Sequence, residues 1–312
     1  MDEQVDILLS VYNPNIKYLK KQLESLNNQT YSNIKIYIFD DSINNRCDRN
    51  IFKENITRFE WEILPYESEN LNYIKAFEKL VEASEGKYIA FCDQDDIWKD
   101  NKIEKCVNFL KETKTLLVAS DREIIDKDDN VICKSVRKNS KKNYDTWNTY
   151  DDITKYNIFV THAVGMSILM DGNFARSILP FSHYSGHDKW VIACACTEGK
   201  VGYINETLVK YRRHNQNVSG VLIGIHTKDD YIRERIVPDI KFIKDFKKRY
   251  PHHKDMKEIE KFAFARYYGK IKDLFKYRYL APDIAMFDIV ITLVPNKFFP
   301  IFVKLAQFMS MK

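Results

Sequence analysis

The sequence has no C-x-x-C pair, and no histidines stand at zinc-site spacing beside its six scattered cysteines, Cys47, Cys92, Cys106, Cys133, Cys194 and Cys196. A zinc centre is therefore not supported, and the thiols are expected to be reduced core residues. No G-x-G-x-x-G follows the first apolar run and no G-x-x-x-x-G-K-[ST] occurs anywhere, which removes a Rossmann dinucleotide site and a P-loop. Residues 1–12 lack a basic stretch leading into an apolar run and a cleavage site, so a cytoplasmic protein is expected. Charge of one sign is missing too: 49 basic against 44 acidic residues leave a net +5, too balanced for a dedicated nucleic-acid binder. Repeats and low-complexity segments are absent.

With 312 residues, 45% hydrophobic and 13% aromatic, the chain can bury a large core, and 30% charged residues keep its surface wet. A basic run from Lys134 to Lys142, with Arg137, Lys138 and Lys141, is either a solvated loop or a surface for an anionic acceptor or lipid headgroups.

Apolar periodicity predicts strands at Val5–Tyr12, Ile34–Phe39, Trp61–Leu64 and Lys87–Cys92. Between them Ile16, Leu19, Leu23 and Leu26, then Leu71, Ile74, Phe77 and Leu80, then Ile103, Val107 and Leu110 recur at helical spacing. Strands alternating with amphipathic helices indicate an α/β domain with a parallel sheet. Beyond about residue 115 the order is mixed, with strands expected at Leu116–Ala119, Ile158–Val160, Met166–Met170 and Val201–Ile204. From Thr227 the pattern is helical, through Ile232, Ile236, Ile240 and Ile243, then Ile259, Phe262, Tyr268 and Ile271.

Two lobes are expected: residues 1–220, made of a nucleotide half (1–115) and an acceptor half (116–220), and a helical extension over 221–312. Ala285–Met311 is the most apolar stretch. Asp288, Pro295, Asn296, Lys297, Pro300 and Lys304 interrupt it, so a spanning helix of about 20 apolar residues is not expected. Two short amphipathic helices with Phe298, Phe299, Phe302 and Phe308 on the apolar side fit either a membrane interface or packing on the protein's own core or a second subunit.

Ligands of open parallel sheets bind beyond the carboxyl ends of the strands. There the first strand offers Ser10, Tyr12 and Asn13, the second Asp40 and Asp41, and the fourth Asp93, Gln94, Asp95 and Asp96. Clustered carboxylates repel one another unless a cation or hydrogen-bond donors compensate. Asp93 and Asp95 supply hard oxygens suited to Mg2+ or Mn2+, which bind one or two carboxylates plus substrate phosphates. A diphosphate ligand is implied. Asp40 or Asp41 can accept from a nucleobase N–H or a ribose hydroxyl, or can cap the loop.

These residues resemble the family 2 inverting glycosyltransferases of GT-A fold, in particular a rhamnosyltransferase-like bacterial branch. One block is Leu9-Ser10-Val11-Tyr12-Asn13 with Gln22 to Leu26, Gln29-Thr30 and Phe39-Asp40-Asp41-Ser42. A second is Phe91-Cys92-Asp93-Gln94-Asp95-Asp96-Ile97-Trp98. A third comprises His162-Ala163-Val164-Gly165, Gly186-His187-Asp188-Lys189-Trp190 and Tyr211-Arg212-Arg213-His214-Asn215-Gln216-Asn217.

The resemblance spans about residues 5–220. It implies Asp188 as catalytic base, Asp95 as metal ligand with Asp93 nearby and His214 as a further metal or diphosphate contact. It implies Tyr12 and Asp41 at the nucleotide, in a pocket that also takes in Asn70 and Gln94. His162, His187, Trp190, Arg212 and Arg213 are expected at the acceptor or phosphate. Where the family often has Asn-x-Gly, this chain has Asn70-Leu71-Asn72; asparagine tolerates positive φ, so the turn can survive.

The activity implied is transfer of a sugar, rhamnose among the candidates, from a UDP- or dTDP-sugar to a saccharide or lipid-linked acceptor. The setting would be capsule or cell-wall polysaccharide synthesis at the inner face of the membrane. Two rivals remain at this point. A strand followed by D-x-D also resembles haloacid-dehalogenase-type phosphatases, although Asp96-Ile97 stands where those have Thr or Val. A non-catalytic nucleotide-binding scaffold is the other.

Overall fold

The computed structural model describes residues 2–139, 147–214, 222 and 224–310, with side chains through 307. Lys141, Lys142, Asn215, Gln216, Asn217 and the side chain of Phe308 lie outside these. The chain forms two compact units, Met1–Ile153 with His162–His214, and Thr154–Thr161 with Asn215–Lys312.

The first unit is built on β1 (Val5–Val11), α1 (Ile16–Asn27), β2 (Ile34–Asp40), α2 (Arg49–Asn55), β3 (Glu60–Ile63), α3 (Asn72–Ala83), β4 (Tyr88–Cys92), β5 (Ile97–Trp98) and α4 (Lys102–Thr113). It continues with β6 (Leu117–Ile125), β7 (Val131–Cys133) and α5 (Val136–Asn139). After α6 (Thr154–Asn157), which belongs to the second unit, come β8 (Ile168–Asp171), α7 (Gly172–Ser177), α8 (His187–Glu198) and β9 (Val201–Arg212). The main path of the sheet runs β3-β2-β1-β4-β8-β6-β9-β5, with β7 on β6.

β1 is buried along both faces except at Ser10, as its apolar run requires of a central parallel strand. Asn15 caps α1 by accepting from the Lys17 N–H, and Leu19, Leu23 and Leu26 face the sheet. Ile16, expected in that stripe, is 42% exposed at the first position of the helix. Ile74, Phe77 and Leu80 of α3 and Ile103, Val107 and Leu110 of α4 are buried as their spacing predicts. α8 is buried nearly all round, which places it among other layers rather than at the surface. None of the six cysteines forms a disulfide.

Strand directions decide where chemistry can collect. β1 is parallel to β2 and β4; β8 is antiparallel to both β4 and β6; β6 is parallel to β9. The carboxyl ends of β1, β2, β4, β6 and β9 therefore share one edge with the amino end of β8.

Two expectations fail. Ile158–Val160 is a turn after α6, not a strand, with the Ile158 N–H on the Thr154 carbonyl and those of Phe159 and Val160 on that of Tyr156. Gly165–Ser167 is a 3-10 turn, so β8 starts only at Ile168.

In the second unit, α9 (Lys228–Tyr231) leads through a π-helical turn into α10 (Val237–Arg249), followed by α11 (Met256–Tyr268), α12 (Ile271–Lys276), α13 (Pro282–Leu293) and α14 (Phe299–Ser310). Phe299 and Val303 are buried in a cluster with Ile291 and Tyr231, and Phe302 packs against it, so this stripe faces its own core. Phe298 is 50% exposed, and Tyr268, expected inward, is 59% exposed. No helix among the described residues is long and apolar enough to cross a membrane.

Candidate active site

The ends of β1 and β4 are joined by a side chain acting as backbone. The Gln94 amide accepts from the Tyr12 N–H at 2.8 Å and donates to the Tyr12 carbonyl at 3.0 Å, supplying the rung the sheet no longer provides. Gln94 is thus held by the loop through one donor and one acceptor, while Tyr12 is left 51% exposed. Asn13, at φ +41, donates its N–H to the Ser42 hydroxyl. Ser10 is half-buried within β1.

Asp40 and Asp41 have separate tasks. Asp40 is 2% exposed and accepts from the N–H groups of Ser42 (3.0 Å) and Cys47 (2.7 Å), so it caps its own loop and is not the nucleotide contact expected of it. Asp41 accepts from Asn70 Nδ2 (2.7 Å) and the Leu71 N–H (2.8 Å), which ties β2 to the start of α3. Burial raises its pKa, and the backbone N–H groups of Leu71 and Asn72 act the other way. Asn72 takes the place of the family's glycine with φ +69, so the left-handed turn is kept.

Asp93, Asp95 and Asp188 come together. The Asp93 carboxyl is held well above the usual range, first by burial and then by the negative charges of Asp95 and Asp188. Asp95 Oδ2 lies 2.7 Å from His214 Nε2, and its carbonyl accepts from Arg212 Nε at 2.8 Å. Asp96 is fully buried and accepts from the Arg212 N–H at 2.9 Å. Tyr18 of α1 packs its ring on both the Arg212 guanidinium (4.4 Å) and the His214 imidazole (5.5 Å).

Asp188 sits in the first turn of α8, where it accepts from the Lys189 N–H at 2.7 Å and from the Gly165 N–H. Burial pushes its pKa up to about 6; these bonds and the charges of Lys189 and Arg122 act the other way. Gly186 is required beside it, since a Cβ there would stand 2.4 Å from Asp188 Oδ1.

Three expected contacts are structural instead. His187 is 6% exposed between Phe77 (4.2 Å), Phe91 (4.7 Å) and Tyr73 (6.0 Å), and neither ring nitrogen has a hydrogen-bond partner among the described residues. Trp190 is 3% exposed with its indole N–H on the Ile178 carbonyl. Arg212 is fully buried and committed to Asp95, Asp126 and Asp129. Each was assigned from a polar or aromatic type next to a motif, a pattern that does not say which way a side chain points. His162 is buried, while Arg213 is exposed at the end of β9.

Tyr73 and Arg122 were missed. Tyr73 is 39% exposed, its pKa raised by burial and then by Asp188 and Asp93; its place just after the Asn70-Leu71-Asn72 turn was the available signal. Arg122 carried no signal within its own stretch.

Residues 6–172 match the family described as Glycosyl transferase family 2. The chain belongs to that family. It is similar to an uncharacterized glycosyltransferase of Methanocaldococcus jannaschii, 28% identical over 218 residues that cover 68% of this chain and 72% of that protein. It is also similar to the putative teichuronic acid biosynthesis glycosyltransferase TuaG of Bacillus subtilis, 24% identical over 216 residues covering 68% and 81%. Among solved structures, S. aureus TarS 1–349 in complex with UDP-GlcNAc superposes with a TM-score of 0.57 at 10% identity, over 90% of this chain and 82% of that one. That likeness shows the GT-A-type fold that the motif resemblance implied. Membership in the glycosyltransferase family displaces the phosphatase reading.

Among the described residues no group of three or more His, Cys, Asp or Glu side chains forms a metal cage by itself. The donor set still fits Mg2+ or Mn2+, which take one or two carboxylates and complete their shell with substrate phosphates and water. The charge crowding on Asp93 is what a dication beside Asp95 would relieve.

Proposed function

We propose that this glycosyltransferase moves a sugar, with inversion, from a UDP- or dTDP-sugar to a saccharide or lipid-linked acceptor in bacterial surface polysaccharide synthesis. The observation that carries the reading is the meeting of the β4-end carboxylates Asp93 and Asp95 with Asp188 of α8. Asp188 is the base: it takes the proton of the acceptor hydroxyl as that oxygen bonds the anomeric carbon and the bond to the nucleotide diphosphate breaks. Asp95, with Asp93 nearby, would hold a Mn2+ or Mg2+, which would supply Lewis-acid stabilisation of the departing diphosphate. His214 orients the Asp95 carboxylate, Tyr12 offers an exposed ring to the base, and Asp41 with Asn70 shapes the ribose side.

A UDP donor is supported by the ligand of TarS, and a wall-polymer acceptor by the name of TuaG. Rhamnose rests on the motif resemblance. Thermal stabilisation and turnover across a panel of UDP- and dTDP-sugars with Mn2+ tests the reading, since a ligand that binds the native state raises its melting temperature. A chain that is stabilised by none and consumes none is not this enzyme; one that binds without consuming any is the scaffold.

The same reading places the protein at the cytoplasmic membrane face. Ile301 and Leu305 are 59% and 57% exposed beside Lys297 and Lys304, and no acidic residue follows Asp288. Co-sedimentation with phosphatidylglycerol vesicles but not phosphatidylcholine is expected; equal recovery with both, or with neither, counts against it.

A further inference from the structure

The second half of β6 leaves β8 behind. The two strands pair only from Leu117 to Ala119, with Ala119 opposite Ile168, whereas β9 accompanies β6 to Ile125. The 3-10 turn Gly165–Ser167 that leads into β8 packs on β6, the strand that carries Arg122. The Gly165 N–H is a donor to Asp188. Asp121 spends its carboxylate on the Ser135 hydroxyl and the Arg137 N–H, and the pairing with β9 shifts on both sides of Asp121, while the Arg122 charge reaches Asp188.

Four arginines of the first unit are buried or half-buried: Arg122, Arg137, Arg176 and Arg212. Arg137 donates to the Trp147 carbonyl, Arg176 to the carbonyls of Ser84 and Gly86, and Arg212 to the Asp95 loop and Asp129. The Arg122 guanidinium has no hydrogen bond or ion pair among the described residues, and its Nε is sealed from solvent. No ion pair joins it to Asp188. Guanidinium cannot shed its charge, so this half-buried cation is available to meet an anion.

We propose that Arg122 forms an anion subsite beside the base, taking a carboxylate or phosphate group carried by the acceptor saccharide. Planar recognition of either oxyanion by two parallel N–H donors suits arginine. The inference rests on Asp188 marking the acceptor side. The Arg122 charge also opposes the burial that raises Asp188, so an anion seated there would make the carboxylate a stronger base.

The test is a ligand-observed NMR titration of the full chain with methyl β-glucuronide, methyl β-glucoside 6-phosphate and neutral methyl β-glucoside, each with and without UDP and Mn2+. Either anion, or both, should bind about ten-fold or more tighter than the neutral parent, the scale of a charge-assisted bond. Whichever anion wins names the acceptor group. Arg122→Gln should erase the preference and Arg122→Lys keep part of it, with melting temperature confirming that both variants fold. Equal binding of all three probes, or a preference that survives Arg122→Gln, overturns the proposal. Failure of UDP to bind would contradict the nucleotide-sugar reading alone, because the arm without UDP still reports on Arg122.

Discussion

His214 Nε2 stands 2.7 Å from Asp95 Oδ2, across 119 residues of sequence, and both side chains are largely buried. The contact is made by strand direction: β9 ends at the same edge as β4, so the residue two places beyond β9 meets the residue three places beyond β4. Arg212 reinforces it by bonding the Asp95 carbonyl and Asp96 from the strand itself. An imidazole on a ligating carboxylate fixes its orientation, the kind of support that typically governs metal affinity about 10–100-fold.

Asp188→Asn should lower kcat about 10²–10⁴-fold while leaving UDP affinity intact, since one general base carries about that much rate. The wild-type rate should also fall as pH drops below about 6, because the carboxyl must be ionised to accept the proton. Single-turnover kinetics from pH 5 to 8 checks both, and an acid limb unchanged in position by neighbouring substitutions such as Lys189→Gln would remove Asp188 from the role.

Asn72 occupies the left-handed region at φ +69, which costs a side chain with a branched Cβ about 1–2 kcal/mol. Asn72→Gly should therefore melt at the same or a higher temperature than wild type, and Asn72→Val lower. Urea unfolding measures the difference; a destabilising glycine would mean the asparagine side chain matters more than its backbone.

His187 is kept neutral by burial, its pKa lowered to about 3. The unfolded chain binds a proton at this residue near pH 6.5 and the folded chain does not, so the stability it contributes is complete above about 6.5 and declines as pH falls toward 3. His187→Leu should lose less stability than wild type between pH 7 and pH 5, and should still transfer sugar. Parallel melting curves at the two pH values decide the first point; loss of transfer in a folded variant would restore an acceptor role.

Helix periodicity was legible where one face is buried, as in α3 and α4, because burial imposes the spacing, and β1 was legible as a continuous apolar run because both its faces are buried. The short β5, β7 and α7 were not, since each holds too few residues to show a period. Of the site, the strand-end acids were legible because parallel strands end at one edge, whereas Asp188 was singled out only by the motif resemblance. That Asp40 caps a loop, that Gln94 acts as a rung and that Arg212 is buried depend on which groups fold beside them, and neither composition nor spacing encodes that.

The most direct measurement is calorimetric titration of UDP into wild type and Asp95→Asn, with Mn2+ and with EDTA. Expected is about ten-fold or greater tightening of UDP by Mn2+ in wild type, equivalent to about 1.4 kcal/mol, and its loss in the variant. UDP binding equally well with and without metal in wild type would contradict the placement of a cation between Asp95 and the diphosphate.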